Sequence, residues 1–429
     1  MDLAHPLLRL DEYATDVPAE GHRIRALGPL IPVELPGPVR AWATADHSTA
    51  NEVFRHQGFR KNPRHWAAYA NGELPDGWPL LRLITVAGML TMDGADHRRL
   101  SSLVNRAFTP RRVARLRPRV EELTAGLVRD LAERAAEAPA APVDLRQRFA
   151  FPLPMAVICE LFGLTDPAGR QRLADHYGAL HDSRTTPARA QEADAGIQEV
   201  IDALIASKRA RPGDDLTSAL LDAHGGEEAR LGARELSETL FLFLFAGHET
   251  SQNLITNAVR GLLEHPGQLA LAHDGAAGTD WSGVVEETLR RDCPVHTVMF
   301  RYAAADVDVP GTRVTVRAGE PVLVCLAATG RDHGRFGPDA DAFDVTREDA
   351  DQHLAFARGA HYCVGAPLAR MVAGTALHAL FHAFDMALTD RDALVPLPSY
   401  ASNSVRSLPV RLSARAAVTP GQRRRSSIW

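Results

Sequence analysis

The chain has 429 residues, of which 45% are hydrophobic and 24% charged, and its formal net charge is -5. That balance excludes a fibrous repeat or a largely disordered chain, and net acidity argues against a protein built as a whole for nucleic acid. The length exceeds the roughly 250–300 residues at which a single core usually stops growing, so size alone suggests two or three domains.

Residues 1–12 lack a basic start followed by a long apolar run, so neither a signal peptide nor an anchor is expected. The longest apolar run, residues 240–247, falls far short of the roughly 20 residues a membrane span needs. The cysteines Cys159, Cys293, Cys325 and Cys363 show no CxxC spacing and are too few for a disulfide scaffold. A reducing, cytoplasmic setting is the expectation.

Residues 1–60 are mixed: Pro29, Pro32, Pro36 and Pro38 punctuate segments 30–35 and 39–44, which alternate like strands. Residues 61–96 contain Pro63, Gly72, Pro75, Gly77, Pro79, Gly88 and Gly94, a loop-rich insertion carrying Trp66, Tyr69, Trp78 and Met89. A loop so long is functional or disordered, and its large apolar side chains argue against disorder. Residues 97–295 carry apolar positions at three- and four-residue spacing, with boundaries at Pro110, Pro142, Pro167 and Pro212. Residues 303–326 switch to alternation, with turns at Pro310-Gly311 and Ala318-Gly319, and predict a small sheet. A Gly- and Pro-rich stretch leads to Cys363, a helix is predicted from about 366 to 384, and residues 385–412 alternate again. Residues 413–429 are expected to form a mobile tail. The fold class is mainly α with a minor β region.

Three segments carry the chemistry. In the first, Cys363 lies in a Gly-bearing loop just ahead of a helix whose first turn suits Pro367. Exposed N–H groups and the positive helix end favour a thiolate there. Gly359 and Gly365 let backbone approach a flat macrocycle, and His361 can reach a haem carboxylate. A thiolate on haem iron promotes O–O cleavage. The other three cysteines read as small buried hydrophobes. In the second, residues 236–264 form one helical pattern of about 28 residues, roughly 40 Å long. Its middle, Phe245-Ala246-Gly247-His248-Glu249-Thr250-Ser251, is a polar break. Gly costs helix stability and a hydroxyl can bend the ladder, so a local opening for dioxygen and water is predicted. In the third, Glu287 and Arg290 sit at i and i+3 on one helix face, a weak signal alone because exposed pairs are common.

In this order the segments resemble the cytochrome P-450 superfamily, over residues from about 20 to 412. Its haem signature, F-G-x-G-x-[HR]-x-C-x-G, is matched by Phe356, Gly359, His361, Cys363 and Gly365, with Ala357 replacing the first glycine. Its oxygen motif, [AG]-G-x-[DE]-T-[TS], is matched by Ala246, Gly247, Glu249 and Thr250. The resemblance implies haem b with Cys363 as the iron ligand, Thr250 hydrogen-bonding the oxygen activated there, and Glu249 relaying protons. It makes Glu287–Arg290 a buried brace of the cysteine loop, and Arg301 and His97 propionate anchors. Ser101 stands where an arginine is usual, and Ala342 where another precedes Phe343-Asp344. The implied fold is a triangular, helix-rich prism forming a single domain through residue 412.

The implied reaction inserts one atom of O₂ into a bulky apolar substrate, a steroid, polyketide or other natural product. Electrons come from NAD(P)H through a ferredoxin reductase and ferredoxin. Soluble actinobacterial members resemble it most, through Gly28-Pro-Leu-Ile-Pro, Lys61-Asn-Pro-Arg-His-Trp and Gly94-Ala-Asp-His-Arg. Pocket candidates by position are Trp66, Met89, Leu90, Phe243, Ala246, Val298, Met299 and Val405. Residues 97–120 hold eight arginines and no acid, either a solvated helix face, a nucleic-acid arm or a docking patch for an acidic ferredoxin. Alternatives are oxidative coupling or ring and ether formation at the same centre, a non-catalytic haem-thiolate sensor, and a helical regulator using the arginines.

Overall fold

A computed structural model describes residues 3–415 apart from 4, 12, 79, 86–87, 182–184, 223–230, 276–277, 279–280 and 392–393. The body is helical and gathers around Ala233–Glu264, a helix of 32 residues, roughly 48 Å at ~1.5 Å each. Its start is fixed by the Glu235 carboxylate, which accepts the Gly232 N–H at 2.9 Å. Its C-terminal half is buried all round, through Leu254, Ile255, Ala258, Val259 and Leu262, as expected of a helix crossing a core. Against it pack Pro152–Phe162, Pro187–Ala210, Ser282–Arg291 and Ala366–Ala383. No helix among the described residues is long and apolar enough to cross a membrane.

The predicted strands form, but their pairing is not local. A six-stranded sheet runs Leu8–Arg9, Ile31–Leu35, Val39–Thr44, Pro321–Val324, Val298–Ala303, Phe59–Arg60. Trp42 therefore sits beside Val322 in a parallel pair. Only the hairpin Val307–Asp308 with Thr315–Val316 is the small local sheet that the alternation over 303–326 suggested. The insertion at 61–96 is not a free loop. It carries the short helices Pro63–His65, Ala67–Ala70 and Leu81–Thr85. Trp66 packs on Trp78 at 5.5 Å and stacks on Tyr302 at 5.8 Å, so the insertion is pinned to the sheet by its aromatic side chains.

The last strand runs past the expected boundary at 412. Strand Pro409–Ala414 pairs with Phe384–Leu388 through Ser413 and Ala414, and the Arg415 N–H donates to the Ala383 carbonyl at 2.9 Å. A boundary at 412 ignores this register, whose hydrogen bonds hold 413–415. Residues 416–429 lie outside the described residues.

Candidate active site around Cys363

Cys363 is exposed, whereas Cys159, Cys293 and Cys325 are buried. Its N–H donates to the Phe356 carbonyl at 3.0 Å, closing the loop. Gly359 has φ +75°, and a Cβ there would stand 3.0 Å from the Phe54 carbonyl oxygen, so only glycine fits. Ala357, in the place of the signature's first glycine, is also left-handed, with φ 57°. Surrounding protein raises the Cys363 thiol, while the N–H groups of Gly365 and Ala366 and the charge of Arg370 act to lower it. Helix Ala366–Ala383 starts there with Pro367 in its first turn.

Helix Ser282–Arg291 braces this loop, but not through the expected pair. The Glu286 carboxylate accepts from Arg370 Nε at 2.6 Å and Nη2 at 2.9 Å, and meets His353 Nε2 at 3.1 Å. It thus ties the residues before the cysteine to those after it. Arg370 also lies over the Phe356 ring, 4.6 Å from its centroid. Burial would raise the Glu286 carboxyl, yet Arg370 and His353 bring it down to about 2. Sequence reading passed over Glu286 because nothing local shows that residues 353 and 370 converge on it.

Glu287 and Arg290 are fully buried and pair twice at 2.7 Å. Arg290 donates to the carbonyls of Ala340 at 2.7 Å and Ala342 at 2.9 Å, and to that of Gly330, while Glu287 accepts the Asp344 N–H at 2.7 Å. The pair therefore braces segment 330–344 rather than the cysteine loop itself. The arginine absent at Ala342 has a substitute: Arg347 Nε lies 3.8 Å from Glu287 Oε2.

A cationic recess adjoins the loop. Arg301 is buried, its Nη1 has no hydrogen-bond partner, and its guanidinium lies over Phe54 at 5.3 Å. His97 and His361 rings approach to 4.2 Å. Buried Lys61 joins them, its Nζ donating to the Phe300 carbonyl at 3.3 Å. Burial lowers Arg301 to about 10 and His361 to about 4, and burial beside Arg301 lowers Lys61 well below its usual range. Asp93 spends its carboxylate on the N–H groups of Lys61 and Asn62 and lies 3.9 Å from His361. The basic side chains Lys61, His97 and His361 around a buried guanidinium donor without an acceptor suit the carboxylates of an incoming group. That chemistry fits haem propionates. Ser101 turns its hydroxyl to the Arg98 carbonyl at 3.3 Å, and the basic side chain beside Arg301 there is Lys61.

The long helix stays continuous through its polar break; it does not open as predicted. Instead three successive carbonyls each accept a hydroxyl: Phe245 from Tyr177 at 3.3 Å, Ala246 from Thr250 at 2.7 Å, Gly247 from Ser251 at 2.7 Å. Tyr177, buried on helix Pro167–His181, also receives the Glu249 N–H, so its hydroxyl sits across one rung of the ladder. Ala246 is exposed although the helix is mostly buried. Glu249 acts electrostatically on Arg146, a buried guanidinium that donates to Asn253 Oδ1 at 2.8 Å. Tyr177 and Arg146 come from distant elements and left no motif to find.

Among the pocket candidates, Trp66 belongs to the aromatic stack under the sheet, and Val405 is buried in the helical core. Phe243 meets Phe108 at 5.5 Å, Met89 packs against the helical core, Val298 begins the strand Val298–Ala303, and Leu90 is half-buried. The Met299 side chain lies outside the described residues. The arginine stretch is partly neutralised: Arg99 pairs with Glu235, Arg112 and Arg115 share Asp214 at 3.3 and 3.4 Å, and Arg119 pairs with Glu122 and Glu160.

The family model for cytochrome P450 matches residues 80–270 and 282–409. The chain belongs to the cytochrome P450 family. It is 39% identical to 2-hydroxy-5-methyl-1-naphthoate 7-hydroxylase of Streptomyces carzinostaticus, over 95% of this chain and 98% of that one. It is 34% identical to 6-deoxyerythronolide B hydroxylase of Saccharopolyspora erythraea, with the same coverage. The testosterone-bound CYP154C4 from Streptomyces sp. ATCC 11861 superposes with a TM-score of 0.87 at 39% identity, over 95% of this chain and 98% of that one. The helix-rich architecture with its minor sheets is thus the P450 fold, and the family implies a haem-thiolate iron.

Proposed function

We propose that this P450 is a monooxygenase inserting one atom of O₂ into a bulky, largely apolar natural product of steroid or polyketide type. What supports the reading is one coincidence in the structure. An accessible thiol at a helix start shares a site with a buried, unpartnered guanidinium donor at Arg301. Haem b, bound through Cys363, supplies the reductive activation of dioxygen. Arg301, His97, Lys61 and His361 hold its carboxylates, and Glu286 fixes the loop carrying the sulfur. Thr250 keeps its hydroxyl proton on the Ala246 carbonyl at 2.7 Å; rotation about χ1 redirects that donor toward the exposed Ala246 face, and Glu249 returns the proton. The substrates in the relatives' names, 2-hydroxy-5-methyl-1-naphthoate and 6-deoxyerythronolide B, and the testosterone seen in one neighbour support a bulky substrate with a largely apolar frame.

Electrons come ultimately from NAD(P)H through a ferredoxin that docks on the cysteine side. There Arg55, Arg358 and Arg370 line a recess with the exposed Tyr362. These side chains adjoin the sulfur loop, with Arg370 paired to Glu286 and Asp351 on the recess wall.

The test begins with carbon monoxide on the reduced protein. A red-shifted Soret band is expected for the wild type and its loss for Cys363→Ser; an unchanged band in the variant overturns the reading. Steroids, macrolactones and aromatic polyketides are then screened for high-spin shifts. Turnover under isotopically labelled dioxygen must place label in the product; unlabelled product from a consumed substrate identifies oxidative coupling instead.

A further inference from the structure

A second cluster of ligating side chains lies away from the cysteine loop. His22 projects from helix Val17–Leu27, and His333 opens the short helix His333–Phe336. Their Nε2 atoms approach one oxygen, Asp341 Oδ2, at 3.3 and 2.9 Å. All three ligand atoms lie within 4.8 Å of one another.

Two of the three are held from the interior. Asp341 Oδ1 accepts from Arg331 at 3.1 Å, and Arg331 is buried and locked to Asp292 at 2.9 Å. The Asp341 carbonyl takes Arg291 Nε at 2.8 Å. Asp332 caps the turn bearing His333, accepting the N–H groups of Gly334 at 2.9 Å and His47 at 2.8 Å. The carboxylate thus presents its second oxygen outward in a fixed direction, and two imidazoles converge on it.

We propose that His22, His333 and Asp341 form a binding site for a divalent transition-metal ion, zinc in particular, with water completing the coordination. Tetrahedral bonds of about 2.0–2.1 Å place ligand atoms roughly 3.3 Å apart. The His22–Asp341 spacing already has that value and the His333 spacing falls a few tenths short. Two imidazoles and one carboxylate suit zinc, copper or nickel, not magnesium or calcium, which prefer all-oxygen shells. A bound ion staples the N-terminal helix to the segment that Arg290 and Arg291 hold. Without it the same atoms make only imidazole–carboxylate hydrogen bonds, so metal affinity separates the two descriptions.

The experiment uses the haem-loaded, chelator-treated protein and zinc chloride, read by isothermal titration calorimetry and by hydrogen exchange of residues 17–27. The wild type binds one ion in the micromolar range, and exchange in that helix slows. His22→Ala and His333→Ala each weaken binding by about tenfold or more, the loss expected when a metal's ligand environment is broken. Both variants remove exposed side chains, and their haem spectra verify folding. No saturable binding by the wild type overturns the proposal, as does equal binding by the His22→Ala/His333→Ala double variant.

Discussion

Glutamine at position 287 keeps the shape of the side chain and removes its charge. The guanidinium of Arg290, with no exposed surface, then loses its counter-ion while Arg347 stands 3.8 Å away. Of the two 2.7 Å pair contacts only the one facing the amide oxygen survives, and the oxygen that also takes the Asp344 N–H must be shared. Breaking a buried pair from one side costs about 3–5 kcal/mol. Against a total stability of about 5–15 kcal/mol, Glu287→Gln removes about a fifth or more. Urea unfolding of haem-loaded protein, followed by the Soret band and tryptophan fluorescence, gives the loss. Arg290 also satisfies the carbonyls of Gly330, Ala340 and Ala342, so Arg290→Met is the harsher variant. A loss below about 1 kcal/mol for Glu287→Gln, typical of solvated pairs, refutes the claim that the brace is dry.

Glu286 has a defined pH signature. Its carboxyl is held at about 2 against an ordinary value of 4.5, so its stabilisation is full above pH 4.5 and fades as pH falls from there toward 2. The shift corresponds to about 3 kcal/mol. Wild type minus Glu286→Gln, measured by denaturant unfolding at several pH values, shows a gap that shrinks on acidification; a gap independent of pH contradicts the assignment. Ala357→Gly relieves a left-handed alanine costing about 1–2 kcal/mol, offset by about 0.4–1 kcal/mol of unfolded-chain entropy. A small rise in the thermal midpoint is expected, and a fall refutes the strain. Tyr177→Phe strips one hydroxyl from the helix rung at Phe245 and Glu249. Turnover assays are expected to show more peroxide per reductant consumed and less product; unchanged coupling removes Tyr177 from the positioning machinery.

The legible parts of this molecule are those written in neighbouring residues. The cysteine loop, the long helix and segments 31–35 and 39–44 follow from spacing and turn residues. Contacts between distant segments left no trace. Val39–Thr44 gives no hint that it pairs with Pro321–Val324, nor Glu286 that it will meet residues 353 and 370. Trp66 illustrates the ambiguity of a large apolar residue in an insertion: pocket and core have the same composition, and Tyr302, remote in sequence, decided for core.

The three departures from the family's motif sharpen that lesson, because each was settled by geometry rather than by identity. Arg347 brings a guanidinium back to Glu287 from five residues beyond Ala342. Lys61, from another segment, brings a basic side chain to the recess of Arg301 and His361 where Ser101 cannot. A cation's field acts through space, so its origin in the chain is free to vary. Ala357 has no such substitute, since a backbone dihedral cannot be supplied from elsewhere; the alanine adopts φ 57° and bears the strain itself. Replacing Arg347 with alanine is therefore expected to act like the loss of a motif residue and lower unfolding stability, whereas Ser101→Ala leaves the protein unchanged. Equal effects of the two variants would show that the compensation lies elsewhere.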